Sequence, residues 1–451
     1  MDFDLSEEQR LLKESVEGLL NDAYDFDSRK KYMAEKGGWS RALWSRLAEQ
    51  GLLGLPFSED DGGFGAGAVE TMIVMEALGR ALVLEPYLAT VVIGGAFLRH
   101  GGSAAQKAAY IPGIIDGSRT LAFAQLEKNS RYDLNDVTTS AKKKGDAYVI
   151  DGEKFVVLNG ENADTLVVTA RTGGARRDTS GIGAFLVPAD AKGVSRKGYP
   201  TQDGLHAADI TFTGVEVGAD AAIGDPDDAL PLIARVVDEA RTALCAEAVG
   251  AMDESLKTTV EYLKTRKQFG VAIGSFQTLQ HRAADMFVAV EQARSMSMFA
   301  TMASEFDDAK ERATAVAAAK VQIGKSLKTT VEYIKTRKQF GVAIGTFQSL
   351  QHRAADMFVA VEQARSMSMF ATMAGEFEDA KERSNAIAAA KVQIGKSLKF
   401  VGQQAIQLHG GIGMTMEAKI GHYFKRLTMI ENTFGDTDYH LRRVTENGGL
   451  V

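Results

Sequence analysis

Apolar residues in the first part of the chain recur every three or four positions. This spacing runs from residue 5 to about residue 117, as at Leu43 and Leu47, and it is typical of amphipathic helices. Clusters of Gly, Asp and Pro interrupt it and mark turns between the helices. We therefore predict an amino-terminal α-helical domain over residues 1–120.

The next part of the chain has short β-rich runs separated by turn residues. Successive runs follow one another with no helical pattern between them, which favours antiparallel connections. Residues 121–228 are thus predicted to form a small antiparallel β-barrel or sandwich. The runs begin at Tyr148, Phe155, Thr165, Ile182 and Ile210.

Helical periodicity returns after Pro226, in segments rich in Ala, Met, Glu and Lys. These residue types favour helix, so residues 229–451 are predicted to form an α-helical bundle. The predicted fold is therefore an α+β multidomain protein with the order helical, β and helical.

The bundle segment contains an internal repeat. Residues 255–325 recur as residues 326–396, with 63 of 71 aligned positions identical. Repeat arrays use shorter units that diverge and stack, whereas this unit is long and occurs twice, so a recent tandem duplication is the natural interpretation. The extra unit should add a helical hairpin to the bundle, with one continuous helix running across the seam from about Glu305.

Composition excludes several classes of protein. The net charge of −7 argues against nucleic acid as a partner. The single cysteine, Cys245, rules out an internal disulfide and fits a reducing cytoplasm. An acidic amino terminus and the lack of a long apolar run predict neither a signal peptide nor a membrane span. The seven histidines show no spacing typical of metal ligands, so no metal is predicted.

Two motifs in the helical bundle carry candidate chemistry. The first is Lys264-Thr-Arg-Lys-Gln-Phe-Gly270, repeated at 335–341, and the second is the stretch 407–415, which contains Gly410-Gly411. An arginine at a helix end can pair with a phosphate, and a double-glycine turn lets backbone N–H groups approach an anion. Either motif alone is usually a helix terminator. Their combination in a helical, β, helical chain is more specific.

With these motifs and this domain order, the chain resembles the acyl-CoA dehydrogenase family over essentially its whole length. The resemblance implies bound FAD, an acyl-CoA substrate, an electron-transferring flavoprotein as electron acceptor, and tetramers in which one subunit holds the ADP half of its neighbour's flavin. It places that ADP-holding role on Arg266, Gln268 and Phe269, or on their copies Arg337, Gln339 and Phe340, together with Gln407, Gly410 and Gly411.

Other segments depart from the family pattern. By resemblance the flavin ring would be contacted at Leu126, Val156 and Leu158, where the family's usual residues are replaced. The family's catalytic glutamate aligns with Phe434, which cannot remove a proton. A second position used by some members, on a bundle helix, is here Ala240.

Three carboxylates remain as candidate bases. Glu247 lies almost two helical turns after Ala240 and should share its helix face, so it is the first choice. Asp436 follows Phe434 by two residues, and Glu239 is adjacent to Ala240 but rotated by about 100°. A solvated or ion-paired structural carboxylate is the alternative for all three.

The opening residues and the tail from Glu431 look most like the small subunits of two-component bacterial acyl-CoA dehydrogenases, such as the pimeloyl-CoA type. This resemblance implies a heterotetramer with a homologous large subunit. A homo-oligomeric dehydrogenase or oxidase, and a non-catalytic subunit that only supplies the ADP-binding surface, remain alternatives. Of the two repeat copies, the first is favoured to face the flavin because the helix that enters it is unaltered.

Overall fold

The computed structural model describes residues 5–268, 270–275, 277–305, 338–339, 342–343 and 380–446. The amino-terminal part is helical, as predicted, with a π-helical stretch at Leu88–Gly94 that continues into the fifth helix. Its helices are α1 (Glu7–Ala23), α2 (Phe26–Met33), α3 (Arg41–Glu49), α4 (Ala68–Ala81), α5 (Gly95–Gly101) and α6 (Ala104–Ile115).

Two of these helices begin with the same local sequence signal. Ser6 and Ser103 each accept a hydrogen bond from the backbone N–H three residues later, and the glutamine there, Gln9 or Gln106, reaches back to the serine N–H. This reciprocal capping satisfies donors that the first turn of a helix leaves free, and one such cap stabilises a helix by about 1 kcal/mol.

The middle part forms one seven-stranded sheet in the order β1-β4-β2-β3-β7-β6, with β5 paired to β4. Four strand pairs of this sheet are antiparallel and two are parallel, so the predicted antiparallel pairing was wrong for the two pairs that involve β1 or β2 with β4. β1 pairs with β4 in parallel, and β2 meets β4 in parallel at Ser140 and Arg171. Parallel neighbours need a long connection, and the chain between β1 and β4 supplies one. The strands are β1 (Leu121–Ala124), β2 (Ser140–Lys144), β3 (Ala147–Leu158), β4 (Thr165–Arg171), β5 (Ile182–Pro188), β6 (Val194–Pro200) and β7 (His206–Gly218).

The carboxy-terminal part is a helical bundle. Its first helix, α7, is 36 residues long, and α8 and α9 pack along it. A short hairpin of β8 and β9 joins α7 to α8. The elements are α7 (Leu230–Thr265), β8 (Lys267–Gln268), β9 (Val271–Ala272), α8 (Gln277–Glu305), β10 (Lys338–Gln339), β11 (Val342–Ala343), α9 (Ala380–His409), α10 (Lys419–Asn432) and α11 (Thr437–Glu446). None of the described helices has both the length and the apolar content to cross a membrane.

Two glycines bring the helical domains into close contact. A Cβ on Gly79 of α4 would lie 2.0 Å from the Glu247 carbonyl oxygen, and one on Gly250 of α7 would lie 1.9 Å from the Glu76 carbonyl oxygen. Larger residues at these positions would push the helices apart. The amino-terminal domain is therefore packed directly against the bundle.

The described bundle draws on both copies of the repeat. Residues 255–305 come from the first copy, and residues 380–396 come from the second. The intervening stretch, 306–379, holds 74 residues, which is one repeat plus three. The extra length thus lies between the described parts of α8 and α9. The predicted seam helix lies outside the described residues.

Deletion of residues 306–376 removes one 71-residue repeat and leaves three residues between α8 and α9. We expect this variant to fold to the same bundle and to gain up to about 3 kcal/mol, because the chain that connects the described ends of α8 and α9 becomes much shorter. Urea unfolding followed by circular dichroism measures this. As a control, deleting 306–390 also removes buried residues of α9, among them Ile387 and Ala390, and should prevent folding. Unfolding of the 306–376 deletion would contradict the assignment.

Candidate functional site

A cleft of about 170 Å³ lies where the sheet meets the two helical domains. The end of β1, the irregular part of β3, the π-helical stretch, α7 and the end of α10 all contribute to its walls. Most of the lining side chains are apolar. They include Ala89, Ile93, Phe123, Leu126, Phe155, Val156, Leu158, Val237 and Phe434. Leu126, Val156 and Leu158, which the family resemblance placed at a flavin ring, thus line one cavity.

The cleft has no acidic wall. Its ionisable lining side chains are Arg131, Tyr132 and Arg241, and no Asp or Glu is among the described lining residues. Gln125 and Asn432 supply amides. A ligand in this cleft therefore meets donors and apolar surface but no carboxylate from the described part of the chain.

Backbone strain is concentrated around the cleft. Three of its lining residues have left-handed conformations, with φ of 45° at Arg131, 49° at Val156 and 56° at Phe434. For a β-branched residue such as Val156 this is an outlier, and residues of this kind cost roughly 1–3 kcal/mol each. Such strain persists where the surroundings over-determine the backbone, and it is common at functional sites.

A buried ion pair lies under the cleft floor. The Lys154 ammonium donates to Glu127 Oε1 at 2.8 Å, to Thr169 Oγ1 at 3.0 Å and to the Gln125 carbonyl at 3.2 Å. Burial acts to raise the pKa of Glu127, but Lys154 and the donors of the Thr138–Thr139 segment outweigh it and lower that pKa to about 2. Burial lowers the pKa of Lys154 to about 8. The pair ties the end of β1 to β3 below the cleft.

Two buried cations hold the loop that carries Phe434. The Lys391 ammonium donates to the carbonyls of Ile430, Glu431 and Gly435 at 2.8–3.3 Å, and burial lowers its pKa to about 8. Arg241 Nε donates to the Phe434 carbonyl at 2.9 Å. The left-handed conformation at Phe434 is therefore fixed from two sides.

Glu247 does not reach this cleft. Its carboxylate accepts two hydrogen bonds from Arg426, at 2.5 and 2.7 Å, and is almost fully buried. Arg426 also donates to Asp203 Oδ2 at 2.7 Å. Glu247 lines a separate cavity of about 50 Å³ beside Trp39. It lies in an ion-pair network between α7, α10 and the middle domain.

Glu239 is also engaged elsewhere. Its carboxylate contacts Arg99 Nη2 at 2.7 Å and His100 Nε2 at 2.5 Å at the end of α5. Burial acts to raise the pKa of Glu239, but the His100 and Arg99 contacts lower it. This geometry suits a structural link between α5 and α7.

Asp436 is the candidate base nearest to the cleft. Its Oδ1 accepts the Tyr439 N–H at 2.7 Å, which caps α11, and its Oδ2 lies 3.4 Å from the hydroxyl of Tyr132. Tyr132 lines the cleft. Asp436 is therefore connected to the cavity through one side chain.

The double-glycine turn lies beside the first repeat copy. The rings of Tyr262, near the end of α7, and His409, at the end of α9, stack at 4.5 Å. Arg266 follows α7 and is exposed, as are Gln407, Gly410 and Gly411 at the end of α9 and just after it. The backbone of Gln268 lies in β8, and that of Gln339 lies in β10. The side chains of Gln268 and Gln339, and all of Phe269, Arg337 and Phe340, lie outside the described residues.

Comparison with protein families identifies the family of the chain. The model of the acyl-CoA dehydrogenase N-terminal domain matches residues 6–118, and that of the middle domain matches 122–215. The C-terminal domain model matches twice, over 230–327 and 309–449. The chain belongs to the acyl-CoA dehydrogenase family. The helical, β, helical order predicted from the sequence is the order of these three domains.

Individual relatives agree with this family. A probable acyl-CoA dehydrogenase, YngJ of Bacillus subtilis, is 31% identical over 301 residues, which cover 66% of this chain and 79% of YngJ. The structure of a variant of the Tcur3481-Tcur3483 steroid ACAD is 26% identical, with a TM-score of 0.72 over 98% of this chain and 97% of that one. The FAD complex of PigA shares the fold, with 22% identity and a TM-score of 0.75 over both whole chains.

FAD is the cofactor of this oxidoreductase family, and the cleft fits its ring. The floor residues Leu126, Val156 and Leu158 are apolar, and the Nε2 of Gln125 is buried without a partner on the same wall. At Gly410 and Gly411 a Cβ would meet open space, so both backbones are accessible to the ADP half. When bound, FAD supplies the acceptor for the hydride.

Several residues of the site were missed from sequence. Lys154, Lys391 and Arg426 are basic side chains buried in a strand or helix, and a charge at a core position of an amphipathic pattern is the signal that could have found them. Lys154 pairs with Glu127, 27 residues away, and Arg426 pairs with Glu247, 179 residues away. No local spacing in the sequence reveals pairs this far apart.

Glu127 should contribute stability that depends on pH. Its pKa falls from 4.5 to about 2 on folding, so the ionised form stabilises the fold fully above about pH 4.5, and this stabilisation is lost as the pH falls towards 2. Between pH 6 and 3.5 the wild type should lose about 1.4 kcal/mol more unfolding free energy than Glu127→Gln. Urea unfolding at several pH values measures this, and parallel curves would argue against the buried pair.

Glu247 should behave as a structural carboxylate. Glu247→Ala leaves Arg426 buried with one partner fewer, which should cost about 3–5 kcal/mol in urea unfolding. The matched Glu261→Ala removes an exposed pair with Lys264 and should cost under about 1 kcal/mol. A stable Glu247→Ala protein that loses only turnover would instead identify Glu247 as a base.

Proposed function

We propose that the chain takes part in FAD-dependent α,β-dehydrogenation of an acyl-CoA thioester to trans-2-enoyl-CoA, as one subunit of a heteromeric tetramer with a homologous larger chain. Electrons then pass to an electron-transferring flavoprotein. One observation carries the heteromeric part of the proposal: no carboxylate is among the described residues that line the cleft, and by family resemblance the lining residue Phe434 occupies the position of the catalytic base.

The chemistry of the reaction explains why this observation supports the proposal. Removal of the substrate's α-proton requires a base within hydrogen-bond reach of that carbon while the β-hydrogen leaves as hydride. Phe434 has no proton acceptor, and Glu247 and Glu239 are held by cations away from the cleft. A cleft built in this way can bind and orient a thioester but lacks the group that deprotonates it. The base then has to come from a cleft in the partner chain.

The rest of the chain supports a flavin-sharing role. Arg266, exposed after α7, and the accessible Gly410–Gly411 turn lie next to each other through the Tyr262–His409 stack. By family resemblance this surface holds the ADP half of a neighbour's FAD. The chain can therefore complete the partner's flavin site even where its own cleft is inactive.

A second candidate function is a homomeric dehydrogenase or oxidase that uses Asp436. The contact between Asp436 and the Tyr132 hydroxyl favours it, since Tyr132 lines the cleft. In this case Asp436 would act on the substrate's proton through Tyr132. An oxidase would also consume O2 and release peroxide.

The lone chain should show no acyl-CoA-dependent reduction of a dye, and no O2 consumption, with thioesters of short, long, branched or dicarboxylic chains. Activity should appear when the homologous chain is coexpressed, with flavin content rising towards its full stoichiometry. Full flavin occupancy and turnover in the lone homomer would contradict the proposal.

Asp436→Asn separates the two candidate functions. In the active heteromer it should change turnover by less than about twofold, whereas loss of a working base lowers turnover by about 10²–10⁴-fold. Phe434→Tyr, which keeps the ring and adds no carboxylate, is the control for disturbance of the loop.

A further inference from the structure

Gln125 holds an unpaired polar group on the wall of the cleft. The residue is 7% exposed, and its Nε2 has no hydrogen-bond partner. Of the described buried side chains with unpaired polar atoms, Gln125 is the one that lines this cleft. Buried polar groups are nearly always paired, so an unpaired donor on a residue that lines a cavity points to a ligand acceptor.

The position of this donor is fixed by its surroundings. Gln125 directly follows β1, and its carbonyl accepts a hydrogen bond from the buried Lys154 ammonium at 3.2 Å. The carbonyl of the next residue, Leu126, accepts the Phe155 N–H at 2.8 Å. Hydrogen bonds thus hold the Gln125 backbone against β3. Because this backbone is already ordered, its side-chain donor loses little further conformational entropy when it binds a ligand.

The apolar residues next to Gln125 indicate which kind of ligand would accept its hydrogen bond. Gln125 stands beside Leu126, Val156 and Leu158, whose side chains are apolar and offer a flat aromatic ligand no hydrogen bond. An oxidised isoalloxazine ring carries nitrogen and oxygen acceptors along one edge, and an amide N–H such as that of Gln125 is a donor that suits them.

We propose that Gln125 is a positioning residue for FAD, whose side-chain N–H donates to an acceptor on the isoalloxazine ring. The inference rests on the flavin part of the proposed function and is independent of which chain supplies the base. The donor would orient the ring and stabilise the electron-rich reduced form, since a hydrogen bond to a ring acceptor strengthens as negative charge develops there.

Gln125→Leu tests the proposal in two ways, by the stability of the FAD-free protein and by the properties of bound FAD. Without FAD the variant should unfold at a higher temperature than the wild type, because an unpaired buried donor is replaced by an apolar group. With FAD its dissociation constant should rise about tenfold, the contribution of one hydrogen bond. The absorption band of bound FAD should shift, and its midpoint potential should become more negative.

Gln106→Leu is the matched control. Gln106 is also 7% exposed, but its Nε2 donates to the carbonyls of Asp220 and Ala222, both at 2.8 Å. This variant should lower the unfolding temperature without FAD and leave FAD affinity, absorption and potential unchanged. The two glutamines should therefore give opposite changes in the stability of the flavin-free protein.

The measurements use whichever form carries flavin, the lone chain or the heteromer. Gln125 would be a purely structural residue, and the proposal overturned, if Gln125→Leu destabilised the flavin-free protein as Gln106→Leu does and left FAD affinity and absorption unchanged. A loss confined to binding of a non-reactive acyl-CoA thioether would assign the donor to the substrate and also overturn the proposal. Neither outcome depends on turnover, so failure here is distinct from failure of the proposed function.

Discussion

The buried contact between Lys154 and Glu127 is the interaction on which the cleft depends. It joins the segment after β1 to the irregular part of β3, and Thr138 and Thr139 extend it to the start of β2. The pair is costly to bury and strongly destabilising to break, because removing one partner leaves an uncompensated charge. Next to this pair, Val156 has a left-handed backbone, its N–H donates to Asp209 Oδ1 at 3.2 Å, and its side chain is 42% exposed. The floor of the cleft is therefore set by electrostatics below it.

Two further networks place the helical domains around this floor. Arg426 links Glu247 of α7 to Asp203 of the middle domain, and Arg29 of α2 donates to the Asp203 carbonyl at 2.7 Å. All three domains thus meet at one buried cluster. Lys391 and Arg241 then fix the Phe434 loop over the cleft. Glu247 is part of the buried ion-pair network that holds the domains together. Among the described residues, the polar groups that line the cleft include two guanidinium groups, a tyrosine hydroxyl and two amides.

The sequence predicted those parts of this architecture that depend on local pattern. Helical and strand periodicity separated the three domains, and the motif after α7 and the double-glycine turn identified the family that the domain comparisons show. Leu126, Val156 and Leu158 were placed at a common site, and they share a cleft. The parallel pairing of β1 with β4 was missed, because pairing partners far apart in sequence leave no periodic signal. Glu247 was favoured as base from its helical phase relative to Ala240. Helical phase predicts the side of α7 from which the Glu247 side chain projects. It does not predict the ion pair with Arg426 of α10, which engages the carboxylate.

The repeat shows how a fold accommodates a large insertion. Because the two copies are nearly identical, the bundle could in principle be assembled from several combinations of their segments. The described residues use α8 from the first copy and the start of α9 from the second, so the surplus length falls at a connection between helices. The arrangement leaves α7 continuous up to Arg266, next to the double-glycine turn.

We propose that the cleft of this chain holds a thioester and flavin but lacks a group that removes the α-proton. Exchange of the α-hydrogens of an acyl-CoA with D2O, under anaerobic conditions, by the flavin-loaded chain without its partner tests this directly. We expect no deuterium at the α-carbon above the rate in buffer, and incorporation once the partner chain is present. Incorporation by the lone chain would mean that a base reaches the cleft, and the partner would then not be needed for proton removal.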